Sequence, residues 1–177
     1  AYADNGIYTV TLMVTDNDGA TGIATAVKTV LNRPPVASFT ESATTMYTGD
    51  IVYFNASSSY DPDGTIVGYF WTFGDGKNTS GSTASHAYSR RGVYTVALQV
   101  TDNDGGTATA TTAVTVLDRP PVASFSESAS TVPTGQIIYF NASSSYDPDG
   151  SIVSYFWTFG DGANATGVTA NHSYSDN

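Results

Sequence analysis

This chain of 177 residues repeats itself, and the repeat limits its fold more than any other feature. The string RPPVASFTESATTMYTGDIVYFNASSSYDPDGTIVGYFWTFGDG starts at Arg33 and returns almost unchanged from Arg119. Trp71 recurs as Trp157, a period of 157 − 71 = 86 residues. Ungapped, 33–91 matches 119–177 at 43 of 59 positions, and 1–32 matches 87–118 at 19 of 32. A unit of that size can hold its own small core, so the pattern reads as tandem domains. Residues 33–118 make one complete unit. Residues 1–32 supply the C-terminal portion of another, and 119–177 the N-terminal portion of a third, whose final strands are absent. Three readings of this phase stay open on sequence alone: an excerpt of a longer repetitive protein, a subunit whose incomplete ends are completed by neighbouring chains, or an arbitrary fragment. The second has a physical motive, because an incomplete sandwich exposes apolar faces and strand edges that another chain can cover.

Within the complete unit, VASF (36–39), DIVYFNAS (50–57), IVGYFWTF (66–73), HAYS (86–89), VYTVALQVTD (93–102) and TATATTAVTVL (107–117) are strand candidates. VYTVALQV alternates, which puts Tyr94, Val96, Leu98 and Val100 on one inward face. No helical period separates the strands. The fold class is therefore all-β, a two-sheet sandwich rather than a βαβ fold. Turn chemistry agrees: DPDG at 61–64 and 147–150, FGDG at 73–76 and 159–162, and NDG at 17–19 and 103–105 place Pro, Asn and Gly where tight turns use them. Trp71 and Trp157, inside YFWTF, are expected to bridge the sheets from within the core. His86 and His172 are read as structural hydrogen-bonding residues at a strand.

The strings FNASSSYDPDGTIVGYFWTFGDG and HAYSRRGVYTVALQVTDNDG together resemble a PKD domain, the immunoglobulin-like module of polycystic kidney disease proteins. The likeness covers all of 33–118, the early strands again in 119–177 and the late strands in 1–32. Its WTFGDG signature falls on Trp71–Gly76 and Trp157–Gly162. Its late signature falls on Tyr88, Gly92, Tyr94, Val96, Val100 and Asp102–Gly105. The resemblance implies an immunoglobulin-like β-sandwich in tandem, used mainly as an extracellular or cell-surface spacer or interaction module. In microbes it implies surface-layer proteins or attachment to secreted proteases and polysaccharide hydrolases.

An immunoglobulin-like topology would bring DPDG and TDNDG to the same end of the domain. Asp61, Asp63, Asp102 and Asp104 could then give oxygens to Ca²⁺, with the adjoining interdomain segment completing the shell. PKD-like modules of bacterial collagenases, associated with calcium near that end, resemble this arrangement. The alternative is that these side chains only accept backbone hydrogen bonds within their turns. Sequons at Asn55, Asn78, Asn141, Asn164 and Asn171 are glycosylation candidates in a suitable host.

Other chemistry is thin. With no Cys and two His, neither a thiolate nucleophile nor a Cys-rich zinc site is available. No phosphate-cradling glycine loop or nucleophile elbow occurs. Sixteen acidic residues against six basic ones argue against a nucleic-acid partner. No run approaches the roughly 18 apolar residues of a spanning helix. The expectation is a non-catalytic extracellular structural spacer or assembly module of a surface layer, fibre or large surface protein. Its partners would be neighbouring PKD-like domains in cis, identical chains, or a cell-surface protein or polysaccharide. Paired prolines in VLNRPPVASF and VLDRPPVASF restrict the links between units. The alternative is an accessory substrate-binding module of a secreted protease or polysaccharide hydrolase, presenting an aromatic strip drawn from Tyr53, Tyr60, Tyr69 or their repeats.

Overall fold

The computed structural model describes Tyr2 and residues 4–175; Ala1, Ala3, Asp176 and Asn177, at the outer ends of the two partial repeats, lie outside the described residues. Every regular element among them is a strand. The chain divides into two units, residues 1–46 with 50–116, and residues 47–49 with 117–177.

The first unit opens with a hairpin of β1 (Gly6–Thr15) and β2 (Thr21–Val30), which form a two-stranded sheet of their own. Its turn is built by Asp16, whose Oδ1 accepts the backbone N–H groups of Asp18 at 3.0 Å and Ala20 at 2.9 Å.

The complete repeat follows with β3 (Thr40–Glu41), β4 (Thr45–Tyr47), β5 (Ile51–Asn55), β6 (Ile66–Thr72), β7 (Asn78–Ser80), β8 (Thr83–Ala87), β9 (Gly92–Asp102) and β10 (Thr107–Leu117). One sheet has the order β3-β5-β8 and the other β4-β10-β9-β6-β7. The pairing β9–β10 is a hairpin joining Thr107 to Thr101 through Val116 to Gly92, while β6 lies antiparallel on the other edge of β9. This is the immunoglobulin-like sandwich expected of the sequence.

Strand alternation makes the core. Val52 and Phe54 of β5, Val96, Leu98 and Val100 of β9, and Val114 and Val116 of β10 are all buried. Trp71 spans the space between the sheets, with no exposed surface. Its ring meets Phe39 edge-on at 5.0 Å and Phe54 at 5.5 Å, and its Nε1 donates to Gly81 O at 2.8 Å. Buried Tyr88 donates its hydroxyl proton to Phe73 O at 2.9 Å. A large aromatic thus fills the core while its one polar group is satisfied, which avoids the cost of an unpaired buried donor.

Two strand expectations shift. VASF forms no ladder; only Val36 bridges to Tyr60. Side chains take the backbone groups instead: Ser59 Oγ accepts from Ser38 N at 3.0 Å and donates to Ser38 O at 2.7 Å. The HAYS strand runs earlier, as β8. The polar strand β7, Asn-Thr-Ser, carried no hydrophobic signal and is held by its pairing with β6.

The second unit contains β11 (Ser126–Glu127), β12 (Ile138–Asn141), β13 (Phe156–Thr158), β14 (Asn164–Thr166) and β15 (Thr169–His172), in sheets β11-β12-β15 and β13-β14. It repeats the inner contacts: Trp157 Nε1 donates to Gly167 O at 2.8 Å and Tyr174 to Phe159 O at 2.9 Å. Among its described residues no strands correspond to β9 and β10; Trp157 is half-buried, Phe125 and Phe156 are exposed, and a cleft of about 480 Å³ opens beside Phe125, Phe140, Trp157 and Phe159.

Candidate site at the acidic end of the complete sandwich

Two turns meet at one end of the first unit. DPDG links β5 to β6, and TDNDG links β9 to β10. Asp102 ends β9 on its inward face and is buried. Its Oδ1 accepts from Asp104 N at 2.9 Å and Gly106 N at 2.7 Å, and its Oδ2 accepts from the Asn32 amide at 2.9 Å. Asn103 Oδ1 accepts Thr65 N at 2.7 Å, which fastens one turn to the other. Asp63 Oδ2 accepts Arg33 N at 3.0 Å, so the chain leading into the repeat is tied to both turns.

The packing leaves no room for side chains where the turns approach. A Cβ on Gly106 would lie 2.5 Å from Asp102 Oδ2, and one on Gly64 would run into Asn103 Oδ1 and, at 2.7 Å, Asp61 Oδ2. Neither glycine has positive φ, so it is not backbone conformation that favours glycine there; a side chain at 64 or 106 would displace the Asp and Asn groups that join the two turns.

The oxygens are oversupplied relative to their donors. Asn32 Oδ1, Asp61 Oδ2 and Asp63 Oδ1 are buried and have no hydrogen-bond partner. Burial pushes the Asp61 carboxyl above the usual carboxylate range; the Asp63 N–H opposes this, while the charges of Asp102 and Asp63 add to it. Asp102 moves the other way: the Asn32 amide and the backbone N–H groups of its turn outweigh desolvation and hold it low. One buried carboxyl is thus satisfied by the turn and its neighbour is not.

Three unpartnered buried oxygens beside a buried carboxylate suit a hard cation, which takes roughly six to eight oxygens at about 2.3–2.6 Å. Asn32, Asp61, Asp63 and Asp102 would hold it, supplying amide and carboxylate oxygens. Among the described residues no three His, Cys, Asp or Glu side chains, these aspartates included, are arranged to hold a metal ion by themselves, so the Asn32 oxygen would be needed as well. The sequence-predicted Asp104 is exposed, and its Oδ2 accepts the Asn103 amide at 2.9 Å. Asn32 was covered in the sequence only as part of the interdomain segment. Its amide spacing of 70 residues from Asp102 leaves no local pattern to read.

The other predicted residues are dispersed. Asn55, Asn78, Asn141, Asn164 and Asn171 are all exposed. Asn55 and Asn141 accept backbone N–H groups two residues on, at 2.9 Å. At the FGDG turn, His86 Nε2 lies 2.8 Å from Asp75 Oδ2 and stacks on Phe73 at 4.2 Å. The arrangement repeats in His172 and Asp161 at 2.7 Å. These histidines brace the turn, as expected.

The fold and the paired turns define an immunoglobulin-like sandwich module in tandem. Residues 32–116 and 118–177 each match the PKD domain family, and the chain belongs to it. It is 36% identical over 98 residues to collagenase ColA of Clostridium perfringens, covering 55% of this chain and 9% of that protein. It is 43% identical over 68 residues to a microbial collagenase of Vibrio alginolyticus, covering 38% of this chain and 8% of that one. The chain therefore spans under a tenth of these relatives. The PKD1 domain of Vibrio anguillarum Epp shares 40% identity, covers 49% of this chain and 96% of its own, and superposes with a TM-score of 0.43.

Proposed function

We propose that this chain is a non-catalytic, extracellular spacer or assembly segment of a surface protein, its PKD units stiffened by Ca²⁺ at their acidic ends. The observation that carries the reading is the fastening of each RPP segment to the acidic turn it precedes. Arg33 N donates to Asp63 Oδ2 and Arg119 N to Asp149 Oδ2, both at 3.0 Å. A cation shared by Asn32, Asp61, Asp63 and Asp102 would lock the same segment further and resolve the unpartnered oxygens. The neighbours are PKD domains in cis, and glycans on the exposed sequons fit a surface location.

Calcium titration by calorimetry, with thermal melts in calcium and in chelator, tests the metal. Binding with a raised melting temperature, lost in Asp61→Asn, supports it; no heat and no stabilisation in the wild-type chain sinks it. Solution scattering with and without calcium tests the spacer role, which requires a narrower distribution of lengths when the ion is bound.

A specific observation favours a second reading, an accessory substrate-binding module. Tyr53 and Tyr139 are each 60% exposed, and Tyr60 and Tyr146 each 57%, so residues 33–118 and 119–177 present the same aromatic pair. Tyr69, by contrast, packs against the core. Retention on insoluble collagen or polysaccharide that disappears in Tyr53→Ala with Tyr139→Ala would favour this reading over the spacer.

A further inference from the structure

Two of the sequons share a setting that the others lack. In β5, alternation sends Val52 and Phe54 into the core and turns Ile51, Tyr53 and Asn55 outward. Residues two apart on a strand stand about 7 Å apart on one face, so Tyr53 and Asn55 are neighbours. Both line an open groove of about 660 Å³ formed from β3, β5 and β8. The arrangement returns one period later: Tyr139 and Asn141 of β12 are exposed and line a groove of about 590 Å³ formed from β11, β12 and β15. The residue two before Asn78 is Gly76, before Asn164 is Gly162 and before Asn171 is Thr169, none of them aromatic.

From this placement we propose that Asn55 and Asn141 are N-glycan acceptors, and that the first sugar of each glycan is seated in the groove against the ring of Tyr53 or Tyr139. The inference rests on the extracellular reading above, because the sugar donor is met on the secretory route. It goes further in naming which sequons are used and what holds the sugar.

The attacking atom is the amide Nδ2. Asn55 Oδ1 accepts Ser57 N and Asn141 Oδ1 accepts Ser143 N, both at 2.9 Å, so each side chain is fixed through its oxygen rather than its nitrogen. The donor of each bond is the third residue of the same sequon. Transfer forms the bond from Nδ2 to the anomeric carbon of a polyprenyl-diphosphate-linked oligosaccharide and breaks that carbon's bond to the diphosphate oxygen. The amide gives up one proton, and the lipid diphosphate departs with the bonding pair.

The seat suits a neutral sugar. The face of an aromatic ring is electron-rich and attracts the C–H groups that line one side of a pyranose. The strand beneath the ring is held in place: Ser42 Oγ accepts Tyr53 N at 3.0 Å, and Ser42 N donates to Tyr53 O at 2.9 Å. Ser128 holds Tyr139 by the same two bonds. A platform already in place loses little ordering when it is covered. Across on β8, Ser85 pairs with Tyr53 and Thr83 with Asn55, which puts hydroxyls beside the ring for those of a sugar. The carboxylate on the lining, Glu41, already accepts Thr112 Oγ1 at 3.2 Å. In the second groove Asn171, itself a sequon, stands across from Tyr139, so the test is read at Asn55.

Secretion of the 177-residue chain from a glycosylating eukaryotic cell, behind a leader that is removed, tests the inference. Enzymatic release in heavy-oxygen water, read by peptide mass spectrometry, should show Asn55 and Asn141 occupied. With every glycan trimmed to its first sugar, the chain should melt about 2–5 °C above the same sequence made without glycans. Tyr53→Phe should keep this gain. Tyr53→Ala and Asn55→Gln should each reduce it, and by the same amount, because each removes one seat; Asn78→Gln should leave it unchanged. An unoccupied Asn55 overturns the inference, and so does a gain that survives Tyr53→Ala. Retention of the trimmed chain on insoluble polysaccharide through Tyr53 also overturns it, since a seated sugar leaves that ring no room for an external one. The native compartment is read separately, by protease added to intact source cells: a parent protein that stays protected removes the extracellular reading, while the result at Asn55 in the secreting cell still decides the seat.

Discussion

The hairpins β1–β2 and β9–β10 share their register, their TDNDG turn and most of their inward residues, yet Leu98 is completely buried and Leu12 is 60% exposed. The acceptor side shows the same contrast: Tyr88 is 1% exposed and its repeat Tyr174 is 38% exposed. Strand pairing and turn geometry are local and survive without a partner sheet. Burial is tertiary and does not. Most of the stabilisation of a sandwich comes from the second, so equivalent residues in the two repeats should respond very differently to mutation.

Truncating the central tryptophan should separate the repeats most. Trp71→Ala leaves a cavity in a closed core and should cost about 3–5 kcal/mol. Trp157→Ala acts in an already open cleft and should cost under about 2 kcal/mol, near the middle of ordinary substitutions. Calorimetric unfolding of each variant measures both. Equal losses would mean that the second unit is closed in solution.

The tyrosine hydroxyls make a smaller contrast. Tyr88→Phe strands the buried Phe73 carbonyl and should cost about 1–2 kcal/mol, whereas Tyr174→Phe exposes its carbonyl to water and should be close to neutral. Burial, helped by the charge of Asp75 and by Tyr94, pushes the Tyr88 phenol up to about 12. Ultraviolet titration should therefore show one tyrosine ionising about two units after the exposed ones.

Charge gives a contrast of sign. For Asp61 the raised pKa means that its ionised form opposes folding in the calcium-free chain. That penalty is complete above the folded pKa and fades as pH falls toward the unfolded value. Asp61→Asn should accordingly raise the melting temperature in chelator at pH 7 and abolish the response to calcium. Asp75 behaves oppositely: desolvation raises it, but the hydrogen bonds from His86 and Lys77 N prevail and lower it. Its contribution is present above the unfolded pKa, near 3.9, and is lost as pH falls through the lower folded value. Asp75→Asn should flatten the acid limb of the melting curve below about pH 4 while leaving the calcium response unchanged. If both variants alter that response, the two ends of the sandwich are coupled.

Much of this was legible beforehand. The alternation in VYTVALQV placed the inward face of β9, and YFWTF placed the core tryptophan, because both depend on residues adjacent in sequence. Proline and serine hid the state of VASF: its backbone groups are satisfied by the Ser59 hydroxyl, a partner 21 residues away. The acidic end was half legible. Asp61, Asp63 and Asp102 were visible as turn residues, but which oxygens face a donor and which do not depends on how two loops and Asn32 meet. The local spacing of TDNDG assigned Asp104 the same role as Asp102. Strand alternation instead turns Asp102 inward, while Asp104 lies in the turn, outside the strand, and is exposed.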